Sequence, residues 1–296
     1  MSSLRYTCLP DRSVIGISGP DSRDFLQGLI SNDITQVTPE RSIYAALLTP
    51  QGKYLFDFFI SQSGEQLLID CEKARLPDLS KRLRMYKLRA DASVTDLSDE
   101  FVVAAAWGDG IAQKAKLEDQ TGQARDLTEG SLSIDPRLSK AGLRIATRNE
   151  MLESTVSPLA ATKATPEDYD LHRLRLGLPA SSRDLIVDKS ILLESGIDDL
   201  NGINWDKGCY MGQELTARTK YRGLIKKRLV PVTIEGPTPE PGASLSKGDK
   251  VVGEMRSSHG SYGLALLRFE HLDDPSTTLT AADTVLRVSK PDWARF

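Results

Sequence analysis

Beyond Gly223 the sequence breaks into short β-like runs at 229–234, 250–255, 263–269 and 284–288. Turn residues separate them: Glu240-Pro241-Gly242, Lys247-Gly248-Asp249 and His259-Gly260. Apolar stretches this short, punctuated by Gly and Pro, cannot make long helices; they suit a small closed barrel. We therefore read 229–296 as a C-terminal β-barrel domain and 1–228 as a separate region. At 296 residues the chain is long enough for two or three units with cores of their own, at about 150 residues per domain.

The first region mixes strand and helix signals. Val14-Ile15-Gly16-Ile17-Ser18 reads as a strand, and Gly19-Pro20-Asp21 opens a helix with Phe25, Leu26, Leu29 and Ile30 on one face. Runs at 44–48 and 54–61 flank the turn Pro50-Gln51-Gly52-Lys53 as a hairpin, and 66–70 follows after Ser63-Gly64-Glu65. The Arg-, Lys- and Leu-rich stretch 73–88 reads as a helix, and 94–97, 101–106 and 143–146 as strands. The polar stretch 113–129 takes no clear assignment. Thr165 can cap a helix that has Pro166 at its first position and Asp168 at the capping-box position, and Gly177 ends it. Hairpins covered by helices give an α+β class.

Composition narrows the function. No apolar run approaches the roughly 18 residues that span a membrane, so no membrane role is expected. A net charge of −3 argues against a dedicated nucleic-acid binder. Cys8, Cys71 and Cys209 are isolated, which disfavours a disulfide framework or a zinc knuckle and fits a reducing compartment. The segment from Met1 to Cys8 lacks an apolar signal core, and Asp11, Asp21 and Asp24 interrupt any Arg-rich leader. Bacterial cytoplasm is the expected location, or the mitochondrial matrix if the chain is a trimmed eukaryotic form. His172, His259 and His271 form no metal-spaced pair, and no phosphate-binding glycine motif occurs.

Chemistry concentrates in Lys207-Gly208-Cys209-Tyr210-Met211-Gly212-Gln213-Glu214, which continues to Arg218. If a helix runs over 212–220, Cys209 lies at or just before its N-terminus, where the dipole and nearby cations favour a thiolate. Gly208 and Gly212 permit close backbone approach to a ligand, and Gln213 and Glu214 offer polar contacts. Residues 207–228 carry seven cations against Glu214 alone. That patch suits an anionic ligand tail, or else forms a solvated surface.

The same string resembles the signature of the YgfZ-like branch of the glycine-cleavage T-protein superfamily. The likeness extends through Tyr169-Asp170-Leu171-His172-Arg173, Gly177-Leu178-Pro179, Arg183-Asp184-Leu185, Leu193-Glu194-Ser195 and Lys227-Arg228-Leu229. Upstream it includes Asp24 to Leu29, Ser31-Asn32-Asp33, Thr49 to Lys53 and Asp135-Pro136-Arg137. The resemblance implies two ferredoxin-like α/β halves around a central channel, followed by the barrel. It also implies a folate-binding factor for assembly or repair of 4Fe–4S clusters, with tetrahydrofolate or a derivative as cofactor and no stably bound metal. Expected partners are iron–sulfur assembly proteins and 4Fe–4S recipient enzymes; any link to tRNA modification is indirect, through cluster-containing enzymes. Cys209 is the implied essential residue, as a transient cluster ligand or as a nucleophile. Lys207, Gly208, Tyr210, Gly212, Gln213, Glu214 and Arg218 are the implied folate-binding or motif residues.

The chain departs from folate-dependent transferases in two places. Their pterin-binding Glu is replaced by Arg175, and Cys209-Tyr210 stands where they carry an acidic or aromatic pair. A tetrahydrofolate-dependent aminomethyl or methyl transferase is the alternative reading. Gly196 also follows Leu193-Glu194-Ser195 where Asn is common in the assembly branch.

Overall fold

A computed structural model describes residues 3–272 and 278–295. Met1 and Ser2 of the segment read for a leader, and 273–277 and Phe296 of the barrel region, lie outside the described residues. The chain divides into two compact units. The first holds residues up to Leu48, Leu55–Pro166 and Leu200–Met211; the second holds Thr49–Tyr54, Glu167–Asp199 and everything from Gly212 onward.

Two sheets organise the first unit. One has five strands in the order Ile43–Leu48, Tyr54–Ser63, Gln66–Glu72, Arg12–Ser18 and Ser93–Asp96. The other has six, ordered Thr162–Lys163, Arg5–Cys8, Phe101–Trp107, Leu143–Arg148, Gly130–Ile134 and Ala124–Leu127. In the second sheet the small side chains of Ala104 and Ala106 leave room for Ile111, Val156 and Leu159 to pack over Leu132, Ile134, Leu143 and Ile145. Over the first sheet lies the helix Leu76–Tyr86, started by a Pro in its first turn and burying Leu76, Leu79 and Leu83 at helical spacing.

Charged side chains from both sheets meet inside this unit. The Asp70 carboxylate accepts from Arg12 Nε at 2.7 Å and from Arg144 Nε at 2.9 Å, and Arg137 pairs with Asp135 at 2.8 Å. Arg144, Arg137 and Arg12 also lie 3.7, 4.8 and 5.5 Å from the centre of the Phe59 ring. Burial alone would push Asp135 up, yet the Arg137 guanidinium beside it holds its carboxyl below the usual range. Asp70 and Asp135 thus each face a guanidinium in the interior of this unit.

In the second unit six strands close into a barrel in the order Lys227–Glu235, Tyr262–Arg268, Lys250–His259, Ser244–Lys247, Thr278–Ala281 and Thr284–Val288. Val230, Val232 and Ile234 alternate inward and meet Leu245, Met255, Leu267, Leu279 and Leu286. The expected boundary at 228 falls inside the first barrel strand. The helix Pro166–Leu176 begins at its proline as the sequence indicates, and Leu174 packs on Leu229 and Leu264. Its Arg173 is buried, reaching Asp170 at 2.7 Å, Asp184 at 2.8 Å and the Ser257 hydroxyl of the barrel at 2.8 Å.

Several local expectations shift. The helix after Gly19 spans only Ser22–Gln27, so Leu29 is buried from the turn that follows, and Ile30 from a bridge to Leu47. The helix expected over 73–88 is a 3₁₀ turn, Lys73–Arg75, followed by Leu76–Tyr86. The unassigned stretch 113–129 includes the end of a short helix, Ile111–Lys114, and the edge strand Ala124–Leu127. The strands Arg5–Cys8, Gly130–Ile134, Ser244–Lys247 and Thr278–Ala281 went unread because they are short and partly polar.

Candidate functional site

The motif divides between the units, with Lys207 to Met211 in the first and Gly212 to Arg218 in the second. In the first unit the loop 201–211 is pinned to the segment 27–32. Asn204 N–H donates to the Ser31 carbonyl at 3.0 Å, the Ser31 hydroxyl donates to the Gly202 carbonyl at 2.6 Å, and Met211 N–H donates to the Gly28 carbonyl at 3.2 Å. The Asn32 amide donates to the carbonyls of Tyr44 and Asn201, both at 2.8 Å. Asn204 Oδ1 accepts from the N–H groups of Asp206 and Lys207, each at 2.9 Å, which forms the turn that turns Lys207 inward.

Lys207 closes this clamp. Its ammonium donates to the carbonyls of Gln27, Ile30 and Asn32 at 2.8, 2.7 and 2.7 Å, using all three N–H bonds. It also lies 5.2 Å from the centre of the buried Tyr210 ring. Burial pulls its pKa down to about 8, with Asp33 opposing. Asp33 is pushed up by burial but brought below its ordinary value by hydrogen bonds from Thr35 and Gln27 and by Lys207. Of the cations counted in the patch 207–228, Lys207 thus spends its charge on backbone carbonyls.

Cys209 is the exposed member of this pinned loop, and Gly208 beside it faces open space. Cys71 is buried, its thiol pushed up to about 12 chiefly by burial, and Cys8 is half-buried in a strand. The expectation that Cys209 abuts a helix start needs correction. The helix spans Gln213–Tyr221 with Gly212 as N-cap at φ +82°, so three residues separate it from Cys209. A helix dipole acts within its first turn, so exposure on a rigid loop distinguishes this cysteine.

The rest of the motif lies on the helix. Gln213 is half-buried, and Glu214 pairs with Arg218 at 2.8 Å one turn on, in an exposed i,i+4 bridge. The cationic patch is also smaller than its sequence suggests. Arg228 is buried, donating to the Leu193 carbonyl and to the Asp199 carboxylate.

A cleft of about 190 Å³ lies in the second unit, with Ile186, Ile191, Leu229 and Leu266 as apolar wall and Lys189, Glu194, Lys227 and Arg256 as polar groups. Burial raises the Glu194 carboxyl pKa, opposed by Lys227 and Lys53. Arg256 pairs with Glu254 at 2.8 Å. Arg175 sits 4.7 Å from the centre of the Tyr262 ring. Gly196 has φ +72°, and a Cβ there would meet the Trp293 ring at 3.1 Å. A left-handed turn packed this closely against an indole suits Gly. Asn204 and the cleft residues Lys189, Glu254 and Arg256 were missed from sequence; only Asn204 carried a signal, as an Asx-turn former ahead of the motif.

A family model described as the C-terminal β-barrel domain of CAF17 matches residues 226–296. The chain is 31% identical to the mouse mitochondrial iron–sulfur cluster assembly factor IBA57, covering 98% of this chain and 86% of that one. It is 33% identical to the human protein, covering 96% and 84%. A homologue from Mycosarcoma maydis is 33% identical over 94% of this chain and 68% of its own. These relatives are named as mitochondrial, which supports the second of the two expected locations and not the bacterial cytoplasm. Among solved structures, the glycine cleavage system aminomethyltransferase T from Bartonella henselae matches with a TM-score of 0.80. It covers 99% of this chain and 87% of its own at 14% identity, a likeness of fold alone.

Proposed function

We infer that this chain, which belongs to the IBA57 family of iron–sulfur cluster assembly factors, assists the assembly or repair of 4Fe–4S clusters in recipient enzymes through Cys209. The observation that carries the reading is the pinned loop 201–211 with its exposed cysteine. A cluster takes four thiolates, and the buried Cys71 and strand-held Cys8 are not displayed with Cys209. One chain therefore offers one sulfur, which fits handover of a cluster as cargo better than storage. The residues around Cys209 hold it: Lys207, Asn204 and Asn32 fix the backbone, so little ordering remains to be done when a partner presents its cluster. The compartment we propose is the mitochondrial matrix, as in the named relatives.

Folate binding is part of the proposal, together with the finer placement in the YgfZ-like branch. The cleft at Glu194 fits a pterin ring: aliphatic walls for its faces, a carboxyl of raised pKa to meet its edge, and Lys227 and Lys189 for an anionic tail. At about 190 Å³ it takes one ring system and leaves the remainder of a folate outside. A reduced folate, when bound, supplies one-carbon chemistry. Arg175 in place of the transferases' carboxylate favours assembly over one-carbon transfer. Effects on tRNA thiolation follow indirectly, through cluster-containing enzymes.

The test is a deletion strain complemented with wild type or Cys209→Ser, scored by the activity of a 4Fe–4S enzyme against one without a cluster. Selective loss of the cluster enzyme in Cys209→Ser is expected; full rescue by that variant overturns the role of the cysteine. Folinic acid at about 100 times its dissociation constant should add roughly 2.7 kcal/mol of stability, and Glu194→Gln should reduce that gain. An unchanged melting temperature in millimolar folinic acid removes the folate part.

A further inference from the structure

Residues 81–89, Lys-Arg-Leu-Arg-Met-Tyr-Lys-Leu-Arg, carry five cations and no acid in a chain of net charge −3. They form the second half of the helix Leu76–Tyr86 and the turn that follows. The helix spends Leu76, Leu79 and Leu83 on the core, which leaves Lys81, Arg84 and Arg89 exposed, with Arg82 and Lys87 half-buried. Among the described residues none of the five forms a salt bridge; Arg84 donates to the Val94 carbonyl and Lys87 to that of Ala90.

Two large apolar side chains project from the same end. Met85 is 55% exposed and Leu88 is 85% exposed. Leu88 also holds φ +46°, a left-handed conformation that a bulky residue adopts only at a cost. Nothing in the fold uses the side chain held there, and strain maintained without a packing return points to function.

From this placement we propose that the end of the helix Leu76–Tyr86 and the turn after it, with Met85 and Leu88 as apolar anchors among the five cations of 81–89, is a peripheral docking surface for an anionic lipid bilayer. Charge complementarity selects the partner's sign. The apolar pair selects a bilayer: Met85 and Leu88, 55% and 85% exposed among the cations, can bury in the acyl boundary while the cations meet the headgroups. The expectation of no membrane role rested on the absence of a spanning run, and no helix of the described residues can cross a membrane. Surface contact needs no span; a few apolar side chains and a cluster of cations suffice.

The experiment is flotation of the full chain with vesicles of phosphatidylcholine alone, and of phosphatidylcholine containing about a third phosphatidylglycerol, at low and at about 0.5 M salt. Binding is expected only to the anionic vesicles and only at low salt. Lys81→Glu with Arg84→Glu should weaken partition by at least about 25-fold, from roughly fivefold per neutralised cation. Leu88→Ser with Met85→Ser should weaken it about tenfold or more. All four positions are solvent-facing, so a circular-dichroism melt should stay unchanged and separate binding loss from misfolding. Absence of binding to anionic vesicles overturns the proposal, as does binding indifferent to Leu88 and Met85. Two further results would also overturn it. One is dependence on Lys220 and Arg222 instead of Lys81 and Arg84; the other is retention on polyglutamate without vesicle binding, which assigns the surface to an acidic protein.

Discussion

Replacing Lys207 with Met removes the ammonium that three carbonyls share while keeping the length of the side chain. The carbonyls of Gln27, Ile30 and Asn32 then face a thioether. A buried acceptor left unmade costs about 1–3 kcal/mol, and the lower figure applies here because the exposed loop lets water reach some of them. That gives about 3 kcal/mol. Relief from burying a charge, visible in the pKa pulled down to about 8, returns roughly 1 kcal/mol. The expected net loss is thus about 2 kcal/mol at pH 7, or some 4–8 °C in melting temperature for a unit of this size.

The pH dependence of that gap has a definite sign. Lys207 titrates near 8 in the fold and near 10.4 when unfolded. Between those values the unfolded chain holds more protons, so raising the pH stabilises the wild type relative to Lys207→Met. The gap should widen by about 1 kcal/mol from pH 8 to pH 10 after allowance for solvent screening. Calorimetry reads the stability, and hydrogen exchange at the amides of Asn204 and Met211, which donate to Ser31 and Gly28, reads the clamp. Unchanged melting with those two amides still protected would refute the clamp.

Limited iodoacetamide should label Cys209 first, Cys8 next and Cys71 last, following exposure and the high Cys71 pKa; peptide mapping of folded protein that finds Cys71 labelled first contradicts the site. Arg228→Ser should cost about 3 kcal/mol in urea unfolding, since it leaves the Asp199 carboxylate with the Arg295 N–H but without a guanidinium partner. Lys226→Ser, at an exposed position, should stay within about 0.5 kcal/mol. Equal effects of the two would restore Arg228 to the surface.

What was legible in the sequence was what local chemistry decides. Thr165-Pro166 announces a helix start because capping and a fixed φ need no distant partner, and the helix does begin at Pro166. The barrel was readable from its turns, although Ser244–Lys247 and Thr278–Ala281 are four residues each and too short to show alternation. Leu29 and Ile30 misled because their spacing satisfies helical periodicity, whereas burial came from the turn and the bridge to Leu47 after the helix had ended at Gln27. Periodicity reports which side is buried and not which backbone buries it.

The motif itself shows the deeper limit. Read as a string, Lys207 to Arg218 looks like one cationic, reactive surface. Lys207 acts on carbonyls 175 to 180 residues earlier in the chain, and no local pattern encodes that reach. Glu214 neutralises Arg218 on a helix exposed to solvent, so the charges that a linear count adds together are used separately. The cleft raises the same difficulty, since Lys189 with Glu194, Lys227 and Arg256 come from three separated stretches. The work therefore divides inside a twelve-residue string: an inward lysine makes the loop rigid, and rigidity lets an outward cysteine be presented without a helix behind it. If that division holds, Lys207→Met should blunt cluster delivery even though its side chain never meets the cargo, and Lys207→Arg should not restore it. A planar guanidinium directs its donors in a fixed fork, whereas the three carbonyls converge on one point.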